Sequence, residues 1–188
     1  MSASPSPSAT TAASQGAPLA GRPATRAAAV AALQAALGAE HAAVYGYGIA
    51  GAHLAGARQK EAARDWAVHE AARDTLAAMI IARGAQPVAA AAAYQLPFPV
   101  HTGPTAIMLA ALLEDRVAAA YLGLVAISDA RLRMSGARAL QSAALRATSW
   151  RGVALAFPGL EVPPPGPVLA GQDTTRPSPG PSTGAAGG

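Results

Sequence analysis

Residues 84–103 read GAQPVAAAAAYQLPFPVHTG, and this stretch decides how the rest of the chain is arranged. Pro87, Pro97 and Pro99 lack the N–H that a helix interior needs and crowd the preceding turn, so the segment cannot be one helix. Extended at about 3.3 Å per residue, it can run the full length of a 24-residue helix, which at 1.5 Å per residue is about 36 Å. A structureless connection of this length inside a compact domain needs a purpose. Spanning a bundle from end to end supplies one.

On both sides of the segment the chain is rich in Ala, Leu, Arg and Glu, and the spacing predicts helices over about 25–57 and 60–83 before it, and 104–133 and 135–156 after it. Pro104, preceded by Thr102 and Gly103, suits a first helical turn, and Ser135 reads as an N-cap. The remaining connections, at 56–60 and 134–136, are so short that they force antiparallel hairpins. Two such hairpins joined by one bundle-length crossover are the topology of ferritin-like folds, whereas a simple up-down bundle needs no long segment. The expected fold is therefore an all-α, ferritin-like four-helix bundle.

Composition bounds that bundle. Residues 1–23 and 158–188 consist largely of Ser, Pro, Thr, Gly and Ala. They cannot bury enough surface to offset their ordering entropy, so two disordered tails are expected around a folded unit at 24–157. The chain is 52% hydrophobic but only 4% aromatic. Most of the apolar content is Ala, a helix former first, which implies close helix approach and no large cavity for a bulky organic ligand. There is no Cys, which excludes disulfides, thiolate metal sites and thiol catalysis. The formal charge is +4, but the Arg residues are scattered among acidic ones with no basic-aromatic cluster, and no nucleic-acid partner is expected. The first apolar stretch lacks a basic n-region. Glu40, His41, His53, Arg73 and Glu114 interrupt the apolar runs, so neither a membrane span nor a membrane partner is expected and the default location is cytoplasmic.

Laid out in steps of three and four, the apolar ladder of helix 1 runs Val30, Leu33, Leu37, Glu40, Val44, Tyr47, Gly51, Leu54, with a carboxylate as one rung. Helix 3 runs Ile107, Ala110, Glu114, Val117, Tyr121, Leu124, and a competing ladder through Leu113 and Val117 sets Glu114 just beside the core line. Helix 2 runs Ala62, Trp66, His69, Arg73, Leu76, Ile80. Helix 4 offers two faces, one through Leu140, Ala144, Ala147 and Arg151, the other through Leu145, Thr148, Gly152 and Leu155. With hairpin turns centred near residues 58 and 134, Glu40 lies level with Leu76, a turn from Arg73, and Glu114 lies level with residue 154, within a turn of Arg151.

The stretches LQAALGAEHAAVYGYG (33–48), AVHEAARDTLAAMIIARGAQP (67–87), AAYQLPFPV (92–100), LLEDRVAAAYLGLVA (112–126) and ATSWRGVALAFPGL (147–160) resemble ferritin-like proteins. They resemble more closely an actinobacterial ferritin-like family known as domain of unknown function 4439. Ferritin-like metal sites take one Glu from each of two helices and a Glu-x-x-His pair from each of the others. The resemblance sets Glu40 and Glu114 in the single-carboxylate positions, but the remaining slots read Glu70-Ala-Ala-Arg73 and Thr148-Ser-Trp-Arg151. A guanidinium has no lone pair for a metal and keeps its positive charge.

The expectation is a metal-free central polar cluster of Glu40, His69, Glu70, Arg73, Glu114 and Arg151 in a non-catalytic protein without a cofactor, acting as a homodimer or binding partner. The alternative is a divergent oxidoreductase or metal-storage protein holding iron or manganese on Glu40, His69, Glu70 and Glu114. His41 points about 100° away from Glu40 and reads as a surface residue; His53 and His101 have no acidic neighbour at ligand spacing and read as incidental. The tyrosines Tyr45, Tyr47, Tyr94 and Tyr121 read as packing groups with a polar tip to satisfy. Trp66 and Trp150 read as core or interface residues, and Gly46, Gly48, Gly51 and Gly56 as allowing close helix packing. No nucleophile, base and orienter can be assembled.

Overall fold

The computed structural model describes residues 21–155, with side chains described from residue 25. The tails expected at 1–23 and 158–188 lie outside the described residues, except for Gly21 to Pro23, which open the first helix. Among the described residues four helices form an all-α bundle: α1 Gly21–Ala52, α2 Gly56–Ile81, α3 Gly103–Val125 and α4 Ala130–Arg151. α1 packs on α2 and α3, and α3 packs on α4. Side chains at the start of α2 and the end of α4 complete the ring, where Ser149 Oγ donates to Glu61 at 2.6 Å.

The segment between α2 and α3 is non-helical and follows α1 along its length. Gln34 holds it twice, donating to Gln86 O at 2.6 Å and accepting from Val88 N at 2.8 Å. His41 meets Val88 O at 3.1 Å, and Tyr94 packs on Tyr45. Val100 is buried where the segment turns into α3. There Thr102 and Thr105 form a reciprocal capping box and Pro104 occupies the first turn, positions in which a missing N–H costs nothing. The two-hairpin topology with a long crossover is thus present.

Both hairpin turns lie earlier in the chain than the spacing predicted. The first occupies residues 53–55 rather than 56–60. The second occupies residues 126–129, and Met134, Ser135 and Gly136 are inside α4. Asp129, not Ser135, caps α4, accepting from Arg131 N at 2.9 Å and Leu132 N at 3.2 Å. Gly136 serves a different purpose from a turn. A Cβ there would stand 2.7 Å from Leu124 Cβ and 3.2 Å from Tyr121 O, so the missing side chain lets α4 close on α3. The inward face of α4 is Leu132, Gly136, Ala143, Ala147 and Trp150; it shares Ala147 with the first predicted ladder, whose Leu140 packs at the core's edge, while Leu145 of the second is exposed.

The core is built as the composition implies, from many Ala with a few Leu, and its largest wholly buried side chains are Trp150 and Tyr47. One sequence expectation needs correcting. Thr25–Ala52 contains an 18-residue window with a mean hydropathy of 1.3 and is long and apolar enough to cross a membrane by length and composition only. Glu40 and His41 do not lower the average enough, because the surrounding Ala, Val and Leu dominate it. In the described bundle this helix supplies core residues Leu33, Leu37, Ala43 and Tyr47.

Candidate functional site

Three polar side chains are buried in the middle of the bundle: Glu40 of α1, His69 of α2 and Glu114 of α3. Each sits on an apolar ladder, so helix packing carries it inward whatever its solvation cost. His69 lies between the carboxylates, with Nδ1 at 2.6 Å from Glu40 Oε2 and Nε2 at 3.0 Å from Glu114 Oε1. Arg146 of α4 brings Nε to the same Glu114 oxygen at 2.8 Å. All four helices meet at this point.

Two tyrosines complete the arrangement by exchange. Tyr47 of α1 donates to Glu114 Oε1 of α3 at 2.7 Å, and Tyr121 of α3 donates to Glu40 Oε1 of α1 at 2.7 Å. In both helices the tyrosine follows its own glutamate by seven residues, two helical turns, which keeps the pair on one face. Because α1 and α3 run antiparallel, each tyrosine comes level with the other helix's glutamate. Each hairpin therefore contributes one Glu, one Tyr and one cation: Glu40, Tyr47 and His69 from the first, Glu114, Tyr121 and Arg146 from the second.

Ionised carboxylates only accept hydrogen bonds, and Glu114 is held ionised. Burial opposes its charge, but the bonds from His69 and Arg146 outweigh burial and lower its pKa. His69 has a carboxylate oxygen opposite each ring nitrogen, and an imidazole that donates from both nitrogens is an imidazolium. For His69, burial again acts first, disfavouring the charge, and the bonds to Glu114 and Glu40 then raise its pKa to about 9. Burial and the adjoining Glu114 charge push the Tyr47 hydroxyl well above its usual range, and burial with Glu40 does the same for Tyr121. Both phenols stay protonated as donors. Two buried carboxylates are thus matched by two cations.

Around this centre, Asp65, one turn before His69 on α2, accepts from Trp150 Nε1 at 2.9 Å. Burial raises its pKa. Tyr47 stacks on the His69 ring, with centroids 5.1 Å apart. Glu114 Oε2 is the one buried side-chain oxygen or nitrogen among the described residues without a hydrogen-bond partner.

Of the six residues expected in the cluster, Glu40, His69 and Glu114 come together and Glu70, Arg73 and Arg151 do not. Arg73 lies at the surface on Asp74 at 2.8 Å, with Glu70 at 4.0 Å. Arg151 pairs with Asp115, the neighbour of Glu114, whose side chain leaves α3 about 100° away. The cause is register. Each residue by which a turn is misplaced shifts the partner position by two, so moving the first turn from 58 to 54 replaces Leu76 with residue 68 opposite Glu40 and delivers His69. On the second hairpin, Gly136 against Leu124 and Arg146 on Glu114 lie ten residues apart on both helices and define one antiparallel register. The four-residue set proposed for a metal is likewise not assembled, because Glu70 stays outside.

Sequence reasoning missed Arg146, Asp65 and the roles of Tyr47 and Tyr121. A signal for the tyrosines was present, the repeated Glu-to-Tyr spacing of seven. For Arg146 the signal was Ser128-Asp129, a stronger helix start than Ser135. The structure also brings together two histidines that spacing had left apart: the His53 and His101 ring centroids are 6.4 Å apart at one end of the bundle.

Fold and centre define an all-α four-helix bundle closed by buried, charge-matched side chains. The profile described as "Domain of unknown function (DUF4439)" matches residues 32–162, and the chain belongs to that family. It is similar to the crystal structure of a conserved hypothetical protein, rv2844, from Mycobacterium tuberculosis, with 36% identity and a TM-score of 0.65 over 67% of this chain and 96% of that one. No curated protein matches the chain.

Proposed function

We propose that the chain is a non-catalytic, ferritin-like helical bundle, a scaffold that works through its surface, with an imidazolium and a guanidinium where such bundles carry metal ions. The observation that supports this reading most is His69 bridging Glu40 and Glu114 through both nitrogens. A doubly donating imidazole has no lone pair for a metal. Arg146 sits on Glu114 Oε1, and its permanent charge opposes a divalent ion at that carboxylate. The donor set does not fit iron or manganese. The cluster instead fixes the relative height of four helices that have few large apolar groups with which to do so, a register role for which buried polar groups are well suited.

Two measurements test this. In protein purified without an affinity tag, elemental analysis is expected to find no stoichiometric iron or manganese; either metal present at one or two per chain and lost in Glu40→Ala and Glu114→Ala would overturn the reading. Nitrogen NMR of His69 at pH 7 is expected to show both ring nitrogens protonated, and a neutral ring would contradict the imidazolium bridge.

A further inference from the structure

We propose that His53 and His101 form a surface site for a borderline divalent transition cation, Cu2+ or Zn2+, where α1 ends and α3 begins. His53 follows Ala52, the last residue of α1, and His101 lies two residues ahead of Gly103, the first of α3. They are 48 residues apart in sequence, and the crossover returns one to the other. Their rings stand edge to face at 82° with centroids 6.4 Å apart.

Both side chains are exposed. Among the described residues neither ring has a hydrogen-bond partner, in contrast to His41 on Val88 O and His69 on its glutamates. A ring nitrogen lone pair is therefore available on each. The backbones beneath are fixed. His53 N donates to Ala50 O at 3.0 Å and Leu54 is buried beside it. His101 N donates to Thr105 Oγ1 at 3.2 Å, between buried Val100 and the capping box. Only side-chain torsions remain to be set on binding.

Metal–nitrogen bonds of about 2.0–2.1 Å place two imidazole centres on one ion about 5 to 6.5 Å apart, depending on the bond angle. The observed separation lies at the wide end of that range, and rotation of two exposed rings closes it. Imidazole ligands select Cu2+ and Zn2+ over the oxygen-seeking Mg2+ and Ca2+, with Cu2+ bound more tightly. No group of three His, Cys, Asp or Glu able to hold a metal occurs among the described residues. The remaining coordination positions fall to water or an incoming ligand, which makes the site open and exchangeable. His53 is thirteen residues beyond Glu40, about 20 Å along α1, so this proposal stands independently of the reading of the central cluster.

Isothermal titration of the untagged full chain with CuSO4 is expected to give one ion per chain, with ZnSO4 weaker, and copper EPR is expected to show two nitrogen ligands. His53→Gln and His101→Gln should each weaken Cu2+ binding tenfold or more, while His41→Gln leaves it unchanged. All three positions are near the surface, and circular dichroism confirms that the variants fold. Unchanged Cu2+ affinity in the His53→Gln/His101→Gln double variant, or a spectrum with a single nitrogen ligand, would overturn the site.

Discussion

Glu114 Oε1 accepts from Tyr47, His69 and Arg146 while Oε2 accepts from nothing among the described residues. This lopsided loading makes His69 and Arg146 the residues on which the interior depends. Replacing His69 by Gln removes one of two cations and leaves two buried carboxylates sharing the other; the expected loss is about 3–5 kcal/mol in urea unfolding. Arg146→Met keeps the volume but strips Glu114 of its guanidinium, and a loss of about 3 kcal/mol is expected. Arg73→Ala, which removes only solvent-facing contacts with Asp74 and Glu70, should cost less than about 1 kcal/mol in the same measurement. A reversed order, with Arg73 the costlier residue, would restore the cluster expected from the family's metal slots. At this scale the sequence was readable for Glu40, His69 and Glu114, because each stood as a polar rung on an apolar ladder. It was not readable for Arg146, whose importance is set by which residue it faces across a hairpin.

Among the elements, α4 shows how a small residue can be taken for the wrong signal. Ser135-Gly136 looks like a helix start, yet Asp129 supplies the cap and Gly136 supplies room for Leu124 and the Tyr121 carbonyl. Gly136→Ala should therefore destabilise by about 1–3 kcal/mol through overpacking, despite the roughly 1 kcal/mol that Ala gains over Gly in helix propensity. Gly46→Ala is a useful contrast, because its Cβ would meet only the side chain of Leu113, its two methyls and Cγ, and no backbone atom. A smaller loss, or a gain, in melting temperature is expected there. Asp129→Ala should cost about 1 kcal/mol by loss of the cap. The existence of four helices was legible from composition and breakers, but the position of each turn within a few residues was not. That small error was enough to change the partners at the centre.

For the whole molecule, the raised pKa of His69 ties folding to pH. Its folded value is about 9 against about 6.5 when unfolded. The stabilisation is complete below pH 6.5 and is lost as pH rises through 9, in total about 3 kcal/mol. Unfolding free energies measured from pH 6 to 9.5 should decline over that window in the native chain and stay nearly flat in His69→Gln. The lowered pKa of Glu114 acts at the other end, where stability is lost as acid protonates it. The fold itself was the most legible feature, since three prolines in a bundle-length stretch left one economical topology.

The exchange of tyrosine hydroxyls between α1 and α3 also constrains how family members can drift apart. A change at Tyr47 is felt by Glu114 in the other hairpin rather than by Glu40 in its own helix, and a change at Tyr121 is felt by Glu40. Substitutions at 47 should thus be inherited together with substitutions at 114, and those at 121 with those at 40. The two halves of the chain cannot then be remodelled one at a time.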